Sequence, residues 1–285
     1  MKIVEWNIHQ MTNLKGTNMI PKLVIEELKE QVADIIVLTE FFKVTDWTGF
    51  VNELAEYNTF VSDNSKNNQN DVLIAVKKEL RIIKVKDIGC IKENNNPNFL
   101  SVDVEIEDKI LSIIGVRIRV ESINRKYYKT DEEYEKVMKK EKENRRKQNN
   151  IILNHICHIK NPIIVIGDFN NFRRGYKDEV WCMDMVKGSY EKNGFTMADI
   201  KGESINQETH DIKYQFAEDH LIAKNVEVSN PEYNRNFVER DKNIYKWGRD
   251  FSFLYNDKDK WNNEYVQSPY PDHAILTATI KLKNS

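Results

Sequence analysis

Pro162 to Asn171, P-I-I-V-I-G-D-F-N-N, is the stretch on which the reading of this chain turns. Its short apolar run, Ile163 to Ile166, reads as a strand buried on both faces, and the run stops at Gly167. Asp168 and Asn170 follow, two residues apart. In an extended chain residues two apart point the same way, so a carboxylate and a carboxamide should emerge side by side while Phe169 points away. Taken alone, Gly-Asp-x-Asn is a turn, since Gly, Asp and Asn all favour turns. The odds change because the same arrangement, a strand followed by an isolated acid or amide, recurs along the chain.

Composition sets the frame for that recurrence. The chain has 285 residues, 43 Lys+Arg against 45 Asp+Glu, and a formal net charge of −2. It therefore lacks the global basic field that drives non-specific nucleic-acid binding, and such a ligand would need a local basic patch. A hydrophobic content of 40% with 31% charged residues describes a folded globular chain. The three cysteines, Cys90, Cys157 and Cys182, lie far apart and do not have zinc-ligand spacing; their odd number suits a reducing compartment. Strand-like sequence starts at Lys2 and no apolar run is long enough to span a membrane, so the expected location is cytoplasmic.

Outward from the central stretch, hydrophobic periodicity predicts strands at Lys2–Ile8, Ile35–Leu38, Asp71–Lys77, Leu80–Ile88, Phe99–Ile106, Ile110–Val120, His220–Ala223 and Ile275–Leu282. Helices are expected over Met19–Val32, Trp47–Ala55, Thr130–Ile159 and, briefly, Val180–Val186, with Ser189–Asp199 as a turn leading to a further element. The charged first half of the long helix reads as a solvated face laced with salt bridges. Residues 228–270 interleave ten aromatics, from Tyr233 to Tyr270, with basic residues such as Arg235, Lys246 and Arg249. That pattern suits either an insertion with its own small aromatic core or a surface that stacks bases and holds phosphates. No repeat or linker divides the chain, so 1–285 reads as one domain carrying this insertion. Strands alternating with helices suggest sheets covered by helices on their outer faces.

Asn7, Glu40, Asp168, Asn170, Asp219, Asp272 and His273 each stand at or beside a predicted strand end. Jointly they supply hard oxygen donors suited to Mg²⁺, with Mn²⁺ as a substitute, together with amides for phosphate oxygens and a histidine able to stabilise charge. No thiolate cluster or histidine pair favours zinc. No phosphate-binding loop of the G-x-x-x-x-G-K-[ST] kind is present.

The ordered set W-N-I (6–8), L-T-E (38–40), I-G-D-F-N (166–170), E-D-H-L-I (218–222) and P-D-H-A-I-L (271–276) resembles the endonuclease/exonuclease/phosphatase superfamily, the deoxyribonuclease I-like fold. The resemblance implies an α/β (α+β) four-layer α-β-β-α sandwich, with two mixed sheets face to face and helices outside. It also implies Mg²⁺-dependent hydrolysis of a phosphate ester. By that resemblance Glu40 would be the principal metal ligand, Asp272 would support the metal, and Asn7 would organise the metal and phosphate end. Asp168 would orient or deprotonate the attacking water, and Asn170 would hold a phosphate oxygen. His273 would bind the scissile phosphate, with Asp219 keeping it oriented and protonated. His9 stands where many family nucleases carry an acid, and Arg117 stands where a family His or Tyr is sought; both become candidate phosphate contacts. The gap from Asp219 to Asp272 is long for the family, so Asp250, in W-G-R-D-F-S-F-L-Y (247–255), is the runner-up partner for His273, with Ser252 there in a strict register. The expected function is a Mg²⁺-dependent phosphodiesterase, a nuclease acting on DNA or RNA. The alternatives are a phosphomonoesterase or lipid/inositol-phosphate phosphodiesterase on the same fold, and a binding protein that has lost catalysis.

Overall fold

The computed structural model describes residues 1–8, 22–41, 47–62, 71–87, 98–120, 127–171, 181–204, 217–234, 236, 271 and 273–283. His9, Asp250, Ser252, Asp272, Cys90 and most of the 228–270 insertion lie outside them. The described strands form two six-stranded mixed sheets. Sheet A contains β1 (Lys2–Asn7), β2 (Ile35–Phe41), β3 (Tyr57–Val61), β4 (Asp71–Lys77), β11 (Val226–Asn234) and β12 (Ile275–Leu282), in the order β11-β12-β1-β2-β4-β3. Sheet B contains β5 (Arg81–Asp87), β6 (Asn98–Ile106), β7 (Lys109–Arg117), β8 (Ile163–Asp168), β9 (Thr196–Met197) and β10 (Asp219–Lys224), in the order β5-β6-β7-β8-β10-β9.

Each sheet holds a parallel pair, β1 with β2 and β7 with β8. Parallel neighbours need a crossover, and a helix supplies each one. These are α1 (Lys22–Gln31) between β1 and β2, and α3 (Asp131–Ile156) between β7 and β8. α2 (Trp47–Glu53) lies with α1 on sheet A, tied to it by an ion pair between Lys29 and Glu53. Phe50 of α2 packs on Phe41 of β2. α4 (Met183–Glu191) joins α3 on sheet B, where Asn149 donates to Ser189 Oγ at 3.0 Å. Helices outside two facing sheets make a four-layer α/β sandwich. Buried side chains of both sheets, Ile3, Val37 and Ile74 with Val102, Ile113 and Ile166, belong to one core. No helix among the described residues is long and apolar enough to cross a membrane.

The centre of sheet B is set by two glycines. A Cβ on Gly115 would lie 2.7 Å from Val72 Cγ1 and 3.0 Å from Val37 Cγ1, so this position faces sheet A at close range. Gly167 has φ +146°, and a Cβ there would stand 2.0 Å from the Val116 carbonyl oxygen. Strand β8 thus passes β7 at a separation only glycine permits, one residue before Asp168. The register then places Arg117, Asp168 and Asp219 in one row across β7, β8 and β10.

Several elements differ from the sequence reading. The short helix expected at Val180–Val186 begins at Met183 and runs to Glu191, taking the first part of the supposed Ser189–Asp199 turn. Val186 and Tyr190 fall on its buried face, and β9 follows that turn. β3 has too short an alternation to be singled out. Residues 228–234, expected in the insertion, belong to β11 of sheet A; Pro231 and a register shift between Ser229 and Glu232 interrupt its alternation.

The charged half of α3 is not simply solvated. Thr130 caps the helix, its hydroxyl accepting from the Glu133 N–H at 3.2 Å, but Glu141, Asn144, Arg145, Gln148 and Asn149 are buried. Arg145 Nε donates to Glu141 at 3.1 Å, and Gln148 donates to Arg119 O and accepts from Arg119 N. The helix packs a polar stripe onto the sheet because that sheet presents backbone groups past the end of β7.

Gly167→Ala is expected to lower stability by about 3 kcal/mol, because the clash is with backbone that cannot rotate away. Gly188→Ala, in α4 with nothing within 4 Å of the added Cβ, should instead raise it by about 0.5–1 kcal/mol. Chemical denaturation of both variants checks the pair of signs.

Candidate active site

Asp168 is fully buried at the last position of β8, and its side-chain contacts come from β1, from β7 and from the turn that follows it. Asn7, at the end of β1 in the opposite sheet, donates its amide to Oδ2 at 3.0 Å. Asn170 donates its side-chain amide to Oδ2 at 2.6 Å and its backbone N–H to Oδ1 at 2.7 Å. Arg117 Nε lies 3.8 Å from Oδ2.

The carboxylate and carboxamide are side by side, although not by strand alternation. The strand ends at Asp168, Asn170 has φ +46°, and its amide turns back to bridge Asp168 and the Ile118 carbonyl at 2.8 Å. A left-handed turn, which Asn tolerates, replaces the extended geometry. Arg145 from α3 holds the Asn170 carbonyl at 2.5 Å. Phe169 points away into the core, edge-to-face with Tyr190 and tilted against His220, with its carbonyl taken by Trp181 Nε1 at 3.1 Å.

Glu40 lies inside β2 rather than beyond it. It sits where the register with β4 shifts between Leu38 and Phe41, with φ +50°. A bulge with a left-handed non-glycine residue re-aims a side chain at a local cost of about 1–3 kcal/mol. Here it turns Glu40 towards Arg117, whose Nε and Nη2 donate to Glu40 Oε1 at 3.1 and 2.6 Å. Burial works against the Arg117 charge, but Glu40 and Asp168 more than offset this and raise its pKa.

On the other side of Asp168 stands the pair of Asp219 and His273. His273 Nδ1 is 2.7 Å from Asp219 Oδ2, and both residues are buried. The pair is held from outside: Trp6 Nε1 donates to the His273 carbonyl at 2.9 Å, and the Tyr233 hydroxyl donates to the Asp219 carbonyl at 2.5 Å. Of the candidate residues, Asn7, Glu40, Arg117, Asp168, Asn170, Asp219 and His273 therefore gather at one end of the sandwich. His9, Asp250 and Asp272 fall outside the described residues.

The sequence reading missed Glu5. It is fully buried in β1, its Oε1 accepts from Thr39 Oγ1 at 2.9 Å, and its Oε2 has no hydrogen-bond partner among the described residues. Asp219 Oδ1 is likewise buried and without a partner there. The signal was present, since an acid in the middle of a strand as apolar as I-V-E-W is unusual. Asn171 was also missed: it accepts from His220 Nε2 at 2.7 Å and donates to Ala217 O at 2.7 Å, and burial keeps that imidazole neutral, its pKa pushed down to about 3. Arg145 and Thr39 carried no local signal.

Electrostatically the site holds an excess of acid. Four carboxyl groups, Glu5, Glu40, Asp168 and Asp219, meet one guanidinium and one imidazole. Burial and then the Asp219 charge push Asp168 up to about 7, against the pull of His273 and Arg117. Burial and then Asp219 also raise Glu5 well above the usual carboxylate range. Among the described residues no three His, Cys, Asp or Glu side chains already form a metal cage. The donor chemistry nevertheless fits a hard divalent cation: the four acids supply oxygen donors, and buried like charges are relieved by one.

No protein-family profile matches the sequence, and no curated protein matches it. Solved structures do. The chain superposes on truncated Caenorhabditis elegans TDP2 with a TM-score of 0.59, at 15% identity over 99% of this chain and 97% of that one. It superposes on D. rerio TDP2 complexed with single strand DNA product with a TM-score of 0.59, at 12% identity over 99% and 98%. A third match is an endonuclease/exonuclease/phosphatase family protein from Bacteroides thetaiotaomicron, with a TM-score of 0.63, 11% identity and coverage of 100% and 98%. At these identities the likeness establishes the fold: the chain has the endonuclease/exonuclease/phosphatase architecture.

The two raised carboxyl groups give a signed pH dependence. Unfolded, each titrates near about 4. Folded, Asp168 holds its proton to about 7 and Glu5 is shifted in the same direction. Between those limits the folded protein binds more protons than the unfolded chain, so stability is greatest at the acid end of the window and falls as pH rises towards 7. Melting temperatures of the metal-free protein across this window should decline for the wild type, and should decline less for Asp168→Asn and for Glu5→Gln. Equal slopes in all three proteins would contradict the assignment.

Proposed function

We propose that the chain is a Mg²⁺-dependent phosphodiester hydrolase acting on nucleic acid. The observation that carries this reading is the convergence on one point of Asp168 between two amides, the Asp219–His273 pair and the Glu40–Arg117 pair. The three units come from both sheets and from distant parts of the sequence, and a purely structural role for all of them would leave this much buried charge without purpose. The fold supports the class of reaction, and the D. rerio TDP2 structure with single strand DNA product supports a nucleic-acid substrate.

In-line attack on phosphorus requires an oriented water, neutralised phosphate oxygens and a stabilised leaving oxygen. Asp168 is the group that orients and accepts a proton from water, since a carboxylate whose pKa lies near 7 is matched to a general base at neutral pH. The amides of Asn7 and Asn170 fix its rotamer; both N–H groups of Asn170 are spent on Asp168 and the Ile118 carbonyl, so its expected role of holding a phosphate oxygen passes to Arg117 beside it. His273, oriented through Nδ1 by Asp219, is the imidazole assigned to the scissile phosphate. Mg²⁺, or Mn²⁺ in its place, would be held by Glu40 with support from Asp272 and would supply Lewis-acid neutralisation of the phosphate. His9 is assigned to the substrate phosphates. The same reading takes residues 1–285 as one catalytic domain, because both sheets supply the site and share a core. It places the protein in the cytoplasm, a location supported by the free thiols of Cys157 and Cys182.

Purified protein with Mg²⁺ should cleave single-stranded DNA or RNA ahead of inositol phosphates and phospholipids. Asp168→Ala and His273→Ala should each lower kcat by about a hundredfold or more. Asp219→Asn should lower kcat with little change in KM, because it acts through His273. Undiminished turnover in excess chelator would remove the metal from the mechanism. Preference for a phosphomonoester would move the substrate class.

A further inference from the structure

At the end of sheet B away from the candidate active site, α3 and the outer face of the sheet enclose a cavity of about 250 Å³. Ser112, in its floor, pairs with Ile163 at the start of β8, whereas Arg117 pairs with Asp168 at its end. Five residues of strand separate them, roughly 16 Å at about 3.3 Å per residue. We propose that this cavity is a second anion site, which takes the phosphate group of a small phosphorylated molecule.

The lining follows from register. β5 reads R-I-I-K-V-K-D, and its Lys84 and Lys86 pair with Asp103 and Ser101 of β6, while Asp103 pairs with Ser112 of β7. These five side chains share the outer face. The C-terminal end of α3 and the turn after it close the wall with His155, Ile159, Lys160 and Asn161. Lys84, Lys86 and Lys160 form no ion pair or hydrogen bond among the described residues. Asp103, the one acid in the lining, is engaged by the Ser112 hydroxyl at 2.6 Å, and Asn161 Nδ2 donates to Ser112 Oγ at 3.3 Å. His155 Nε2 is buried and has no hydrogen-bond partner among the described residues.

Lys84, Lys86 and Lys160 bring three positive charges to one cavity lining that holds a single acid. The carbonyl end of α3 contributes only about half a negative charge, and Asp103 one more, against three positive charges. Ile159 is the sole apolar residue of the lining. A phosphate has acceptor oxygens on several sides, matching lysines from β5 and from the 160–161 turn. The volume admits a phosphate with a sugar-sized substituent. Burial, and after it the Lys86 charge, lowers the pKa of His155, whose ring borders the cavity and reports its occupancy.

The test is to follow the imidazole signals of the metal-free, histidine-labelled protein by NMR, with His155 assigned from His155→Gln. Inorganic phosphate, a 5′-mononucleotide and a short single-stranded oligonucleotide are added in turn against sodium chloride of equal ionic strength. Phosphate and the mononucleotide should shift the His155 signals saturably. Lys84→Ala/Lys86→Ala, on exposed edge-strand positions, should weaken that binding at least tenfold while circular dichroism stays unchanged. Movement of the His273 signals alone would confine phosphate to the catalytic end and overturn the proposal. A His155 shift reproduced by chloride, or not weakened in the double variant, would reduce it to general screening and overturn it equally. A response to the oligonucleotide but not to the small phosphates would make the patch a backbone contact and reject the small-molecule site. None of these outcomes depends on whether the protein hydrolyses phosphodiesters.

Discussion

A buried carboxylate must be satisfied on every side, and Asp168 imposes that demand on the whole sandwich. Its oxygens are met from β1 by Asn7, from its own turn by Asn170, and at longer range from β7 by Arg117. Each of these groups is in place only if the two sheets face each other at one separation and in one register. The cost of leaving such a charge unpaired in a dry interior is several kcal/mol, so the alignment of the layers and the integrity of the site are one requirement. Gly115 and Gly167 serve it directly: one lets sheet A approach sheet B, and the other lets β8 pass β7.

Two of the departures from regular geometry lie where this demand is greatest. Glu40 and Asn170 both take positive φ, one at a bulge and one at a strand end, and both turn a polar side chain inward. Neither conformation is favoured locally, and each is over-determined by its partners: Arg117 for Glu40, and Asp168, the Ile118 carbonyl and Arg145 for Asn170. Strain of this kind persists where surrounding packing fixes it. The buried polar stripe of α3 belongs to the same economy of contacts, since Arg145 and Gln148 satisfy backbone groups that no strand continues to pair.

The carboxyl-rich interior also links the two halves of the site. Glu5 and Asp219 influence each other and Asp168 through a low-dielectric layer, so protonation of one changes the others. Macroscopic titration there belongs to the cluster. A cation or a phosphate arriving at this end would alter the balance of all four acids at once, which is a physical reason for metal and substrate binding to depend on each other.

Much of the fold was legible in the residues. Apolar runs ending in Asp168, Glu40 and Asn7 marked strands and their polar ends, because a two-residue period and a sudden acid are local properties. The helical period of α1 and of the second half of α3 was equally plain. The shift of α4, the short β3 and β9, and the bulged β11 were not, since their residues are held by neighbours rather than by their own pattern. At the site, the sequence alone determined which polar groups stand at strand ends. Tertiary structure decided that Asp219 meets His273, that Glu40 turns onto Arg117, that Asn170 folds back instead of extending, and that Glu5 lies among them. The Asp219–His273 and Glu40–Arg117 contacts join the two sheets over separations of 54 and 77 residues, and no local preference of the chain encodes the distance between two surfaces that packing brings together.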